Sequence, residues 1–220
     1  MWRIKLAGIA LGAFLAFWGF NENKLNSNMT SEPEKVTMAE LEKGGYSGSN
    51  YVEISDFYNL NFQLVYSAKV GKYDKDVKED STVEYCYIPI ISKENPFVEK
   101  VDSYLAQVEA GGEAAQNIPE PSLDSYSVLV KTDRYKKVGD LPYGFDEGAA
   151  LQGVFINKIT SLADDEKDLL LEGASGIDLE NILILEEGRT PSSATKAYGA
   201  MAGGVVIALL SLLWLIKPKN

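Results

Sequence analysis

The chain has 220 residues, with 21 Lys+Arg against 32 Asp+Glu, a formal net charge of −11, no histidine and one cysteine, Cys86. That length suits one domain of ordinary size with accessory segments. Without histidine or a second cysteine, Ser-His-Asp and Cys-His nucleophilic systems, His-ligated zinc, cysteine zinc ribbons and intramolecular disulfides are all excluded.

The first apolar stretch, Leu6 to Phe20, reads LAGIALGAFLAFWGF without a charge. At ~1.5 Å per residue it spans ~22 Å, short of the ~30 Å hydrocarbon core. Extending the helix back to Trp2 closes the gap, with Arg3 and Lys5 carrying their charges to the interface. A cleaved signal peptide is the rival reading, but Phe17, Trp18 and Phe20 occupy the positions where small residues would mark a cleavage site. The expectation is therefore a spanning helix over 1–20. A polar tether over 21–36 should follow, NENKLNSNMTSEPEKV from Asn21 on, and it contains the sequon Asn28-Met29-Thr30.

Residues 37–187 should form one extramembrane domain. Three short helices announce their boundaries. Thr37 and Glu40 form a capping box before a helix that stops at Gly44. Asn95 and Pro96 open a second, in which Phe97, Val101, Tyr104, Leu105 and Val108 recur at helical spacing. Ser161 and Asp164 open a third, with Asp165 and Glu166 near its start and Gly173 at its end. Strands are expected at Tyr51 to Ser55, Asn61 to Ala68, Thr82 to Ile91, Tyr126 to Thr132, Leu151 to Asn157 and Asn181 to Leu185. Thr82 to Ile91 is apolar on both faces, Val83, Tyr85 and Tyr87 alternating with Cys86, Ile88 and Ile90, as a central strand requires. Long Gly- and Pro-rich connections are expected at Gly111 to Leu123 and Tyr135 to Ala150.

A stem over 188–196 (GRTPSSATK) should lead to the second spanning helix at 197–216, twenty residues without a charge, followed by the basic tail 217–220. All three tryptophans, Trp2, Trp18 and Trp214, fall in the two apolar segments, where interfacial aromatic belts belong. Each segment has small residues four apart, Gly8, Gly12 and Ala16 in the first and Gly199 and Gly203 beside Ala200 and Gly204 in the second. These are the candidate helix-packing residues, for pairing with each other or within an oligomer. The fold class expected is α+β, two transmembrane helices flanking a strand-rich domain with about three short helices.

Charge sorts with these segments. No acidic residue lies before Asn21 or after Ala197, whereas Arg3, Lys5, Lys217 and Lys219 do, leaving 17 basic and 32 acidic residues between them, a net of −15. A field of that sign repels phosphate backbones, so nucleic acid is not an expected partner. The positive-inside rule puts both termini in the cytoplasm and the domain outside it.

Candidate chemistry is sparse. Cys86, inside an apolar strand, reads as a core residue. The run KYDKDVKEDS resembles a calcium loop faintly, but Glu79 stands where Gly is needed and Tyr85 where a bidentate Glu is needed, so a solvated hairpin loop is expected. Asp164, Asp165, Glu166 and Asp168 cluster where a helix dipole favours acids. Ser193-x-x-Lys196 matches part of a Ser-Lys nucleophile motif without its companion elements. No catalytic, cofactor or metal residue is assigned. The expected function is a membrane-anchored, non-enzymatic interaction or assembly module with membrane-protein or envelope partners. The alternative is a membrane-tethered hydrolase using Asp/Glu or Ser/Lys chemistry on an envelope or lipid-linked substrate.

Overall fold

A computed structural model describes residues 2–70, 76–109, 126–156, 164–173 and 182–216. The sequence readings at Asp74, at the 111–123 connection, at Ser161, at Asn157 and Asn181, and at the tail 217–220 lie outside the described residues. The chain divides into two compact units, Met1–Glu32 with Ser49–Tyr51 and Thr190–Asn220, and Pro33–Gly48 with Val52–Arg189.

The first unit is built on two helices, α1 (Trp2–Asn26) and α5 (Ala194–Ile216). Both are long and apolar enough to cross a membrane, with mean hydropathies of 1.5 and 2.3 over Ile4–Asn26 and Thr195–Ile216. Only 11% and 6% of those stretches are buried in the protein, whereas the core helix of a water-soluble domain would be covered. Helix α1 continues six residues past the expected boundary at Phe20. The reason is packing: Glu22 and Leu25 are buried, and the Ser192 hydroxyl donates to Glu22 Oε2 at 2.8 Å. The segment expected as a tether thus holds the end of α1 and, after a turn, a strand. Ser49 and Asn50 dock on that turn, the Asn50 N–H donating to the Asn28 carbonyl at 2.9 Å and the Thr30 N–H to Ser49 Oγ at 3.2 Å.

The second unit is a mixed, curled sheet. Its described strands are β1 (Glu34–Thr37), β2 (Tyr51–Ser55), β3 (Phe57–Leu60), β4 (Val65–Lys69), β5 (Thr82–Ser92), β6 (Val128–Thr132), β7 (Phe145–Glu147), β8 (Leu151–Phe155) and β9 (Leu183–Glu187). They run in the order β1-β2-β8-β9-β6-β5-β3-β7, with β4 also on β5. The pairs β1/β2 and β6/β9 are parallel, and β3/β5, β3/β7, β4/β5, β5/β6 and β8/β9 antiparallel. Strand β5 is the spine: β6 pairs along one edge, while β4 and then β3 share the other, and every residue from Cys86 to Ser92 is buried. Apolar side chains on both faces make that position favourable.

The strand expected at Asn61 to Ala68 starts late: its first three residues are a 3-10 turn and β4 begins only at Val65. A 3-10 turn at Asn61–Gln63 separates β3 from β4, because Asn59 and Asn61 both turn their amides onto the Asp146 carboxylate of β7. Strands β1, β3 and β7 were not foreseen; they have three or four residues each.

Helices α2 (Met38–Glu42), α3 (Phe97–Glu109) and α4 (Asp164–Gly173) match the three expected. The Thr37–Glu40 capping box is formed, and the chain leaves α2 through Gly44 at φ 75°. Met38 and Leu41 of α2 enter a core with Val52, Ile54, Ile90 and Phe155. Phe97 and Val101 of α3 pack with Leu60 and Ile91, and Asn95 Oδ1 accepts the Phe97 N–H at 2.9 Å. The connection at 135–150 is partly ordered by a 3-10 turn at Val138–Asp140 and by β7.

Candidate functional site

The sheet unit carries a cleft of about 460 Å³ lined by Glu84 and Tyr85 of β5, by Lys131 and Thr132 of β6 with Asp133, and by Glu186 and Glu187 of β9 with Gly188 and Arg189. It opens where the parallel neighbours β6 and β9 end. In register, Tyr87 lies opposite Lys131, and Lys131 opposite Glu186, so three polar side chains sit side by side on one sheet face, of which Lys131 and Glu186 line the cleft. Gly188, at φ 73°, turns the chain out of β9 at the rim.

Lys131 is the centre of the arrangement. Its ammonium pairs with Glu166 of α4 and lies 4.6 Å from the Tyr85 ring centroid and 5.7 Å from that of Tyr87. The Tyr87 hydroxyl donates to the same Glu166 oxygen at 3.0 Å. Burial, then the Glu166 charge and this hydrogen bond, push the Tyr87 hydroxyl up, so it remains a donor. Burial also raises Tyr85. On the opposite face of β5, Cys86 is fully buried and its thiol is pushed up to about 12 by burial, with Arg134 pulling the other way; at neutral pH it is protonated and inert.

Around this centre the charges are matched in pairs. Arg189 donates to Glu186 at 2.6 Å and Arg134 to Glu187 at 3.2 Å, while Lys69 approaches Glu84 to 3.0 Å and Lys136 approaches Asp133 to 3.4 Å. Two of the three arginines in the chain are thus spent on β9 carboxylates. Among the described residues no three acidic or cysteine side chains converge as a metal site would need.

None of the acidic, Ser/Lys or cysteine candidates drawn from the sequence lines the cleft; Glu166, which pairs with Lys131, alone of its acidic cluster turns inward, and Asp164, Asp165 and Asp168 are exposed. Sequence reading missed Lys131. The available signal was its place in the Tyr126 to Thr132 strand, on the face it shares with the buried Leu129. The Ser193-x-x-Lys196 pattern has a structural use: Ser193 Oγ accepts the Lys196 backbone N–H at 3.3 Å as α5 begins.

The helix-packing candidates separate into two groups. Helices α1 and α5 run antiparallel, and a Cβ added at Gly12 would stand 2.6 Å from the Gly204 carbonyl and the Ala208 nitrogen. Gly8 faces Ser211, and Ala16 lies against Gly204, where an added Cβ would meet the Ala16 nitrogen at 2.5 Å. Gly19, not singled out from sequence, is as close to Ala197 and Met201. Gly199 and Gly203 have nothing within 4 Å, so α5 meets α1 through Ala197, Met201, Gly204, Ala208 and Ser211 instead. The α5 positions advance by alternating steps of four and three, and Gly8, Gly12, Ala16 and Gly19 opposite them on α1 by four, four and three. A repeat of ~3.5 keeps one seam in register along a left-handed crossing. At one end of the seam Lys5 donates to the Trp214 carbonyl at 2.6 Å and lies 4.7 Å over its indole.

No protein-family model, curated protein or solved structure matches the chain. The functional reading therefore rests on the residues alone.

Proposed function

We propose that the protein is a membrane-anchored, non-enzymatic interaction or assembly module, presenting an acidic domain at the membrane surface to membrane-protein or envelope partners. The observation that carries this reading is the pair of lipid-compatible helices bracketing a domain whose cleft charges are engaged with one another. Anchoring at two points restricts the domain's orientation and raises its effective concentration near other membrane components. A net of −15 between the apolar segments favours partners that present positive charge and disfavours nucleic acid. By the positive-inside rule, Arg3, Lys5, Lys217 and Lys219 support cytoplasmic termini with the domain on the other side.

Two measurements test the proposal. A reporter fused after Asn220 should read as cytoplasmic and one inserted at Gly111 should not; the opposite pattern overturns the sidedness. In-membrane photocrosslinking from the 111–123 segment should capture a discrete membrane or envelope protein. Failure to capture any protein, with turnover of a lipid-linked substrate by the purified chain, would replace the binding role with an enzymatic one.

A further inference from the structure

We draw no further inference here: the strongest candidate, the pair of side chains at the end of α1 in which both amide atoms of Asn26 and Oδ1 of the buried Asn50 have no hydrogen-bond partner, carries nothing because nothing in the structure shows these atoms turned into one shared space that a ligand could fill.

Discussion

The two units hold together by opposite means. In the helical unit the tightest approaches occur where side chains are missing, at Gly8, Gly12, Gly19 and Gly204, while Phe14, Phe17, Leu210 and Leu213 point outward. In the sheet unit Tyr87, Phe57, Phe155 and Leu129 are fully enclosed. The proposed membrane placement of the helical unit accounts for the difference. Lipid tails are as apolar as leucine, so helices gain by bringing backbones close; in water, enclosed apolar area is itself the driving force, at ~25 cal/mol per Å². The same residue type should therefore have opposite importance in the two units, and all three tryptophans lie in α1 and α5, so their fluorescence follows the helical unit alone.

The largest expected effect is in the sheet core. Phe155 is fully buried and meets the Tyr46 ring edge to face, with centroids 5.8 Å apart. Phe155→Ala should destabilise the domain by about 3–5 kcal/mol in denaturant unfolding followed by far-ultraviolet circular dichroism. Tryptophan fluorescence should keep its own transition. Loss of both signals together at one lower midpoint would show the two regions to be a single cooperative system and would break the comparison.

Next in size is a matched pair of glycines on the two apolar helices. Gly12→Leu drives a side chain into the backbone of α5 and should cost about 1–3 kcal/mol or more, lowering the fluorescence-detected midpoint. Gly199→Leu meets open space and should leave that midpoint where it was, or raise it through better helix propensity. Equal effects from the two would mean that the seam does not run through Gly204.

A third test concerns the ion pair that Lys131 of the cleft makes with Glu166. The side chains of Lys131 and Glu166 retain 21% and 13% of their exposure, so their pairing is partly screened. Lys131→Met alone should cost about 1–3 kcal/mol, because Glu166 loses the Lys131 ammonium while still facing Tyr87. Adding Glu166→Leu should recover part of that loss. A double variant worse than the single one would mean that the pair contributes more than it costs to desolvate.

These contrasts also explain what was legible in advance. Helix boundaries were readable because Thr37, Glu40, Asn95 and Gly44 act through neighbours two to four residues away. The central strand was readable because burial on both faces leaves a continuous apolar run. Strands β1, β3 and β7 were not, being short and defined by partners far along the chain, as Asn59 and Asn61 are by Asp146. The small-residue stripe was visible, but choosing Gly204 over Gly203 requires the rotation of α5 about its axis, which depends on every seam position from Ala197 to Ser211 together. The cleft was the least visible feature. Lys131, Glu166, Glu186 and Arg134 come from three parts of the sequence, and none belongs to a motif.

The smallest expected effects come from helix starts, where the two units can be compared directly. Thr37 Oγ1 accepts the Glu40 N–H at 3.3 Å, and Glu40 Oε2 accepts the Thr37 N–H at 2.8 Å. The same contacts hold the Glu40 carboxyl below its ordinary value, the backbone hydrogen bond first. Helix α2 has five residues, so its cap is a large share of what keeps it helical, and Thr37→Ala should cost about 1 kcal/mol in the sheet unit. Ser193 makes one comparable bond at the start of α5, which has 23 residues and the whole seam with α1 to hold it. Ser193→Ala should therefore fray one turn and leave the fluorescence midpoint unchanged. A drop as large as that of Thr37→Ala would mean that the helix pair depends on its polar start as well as on its glycines, and that water-facing rules extend further into the helical unit than its packing implies.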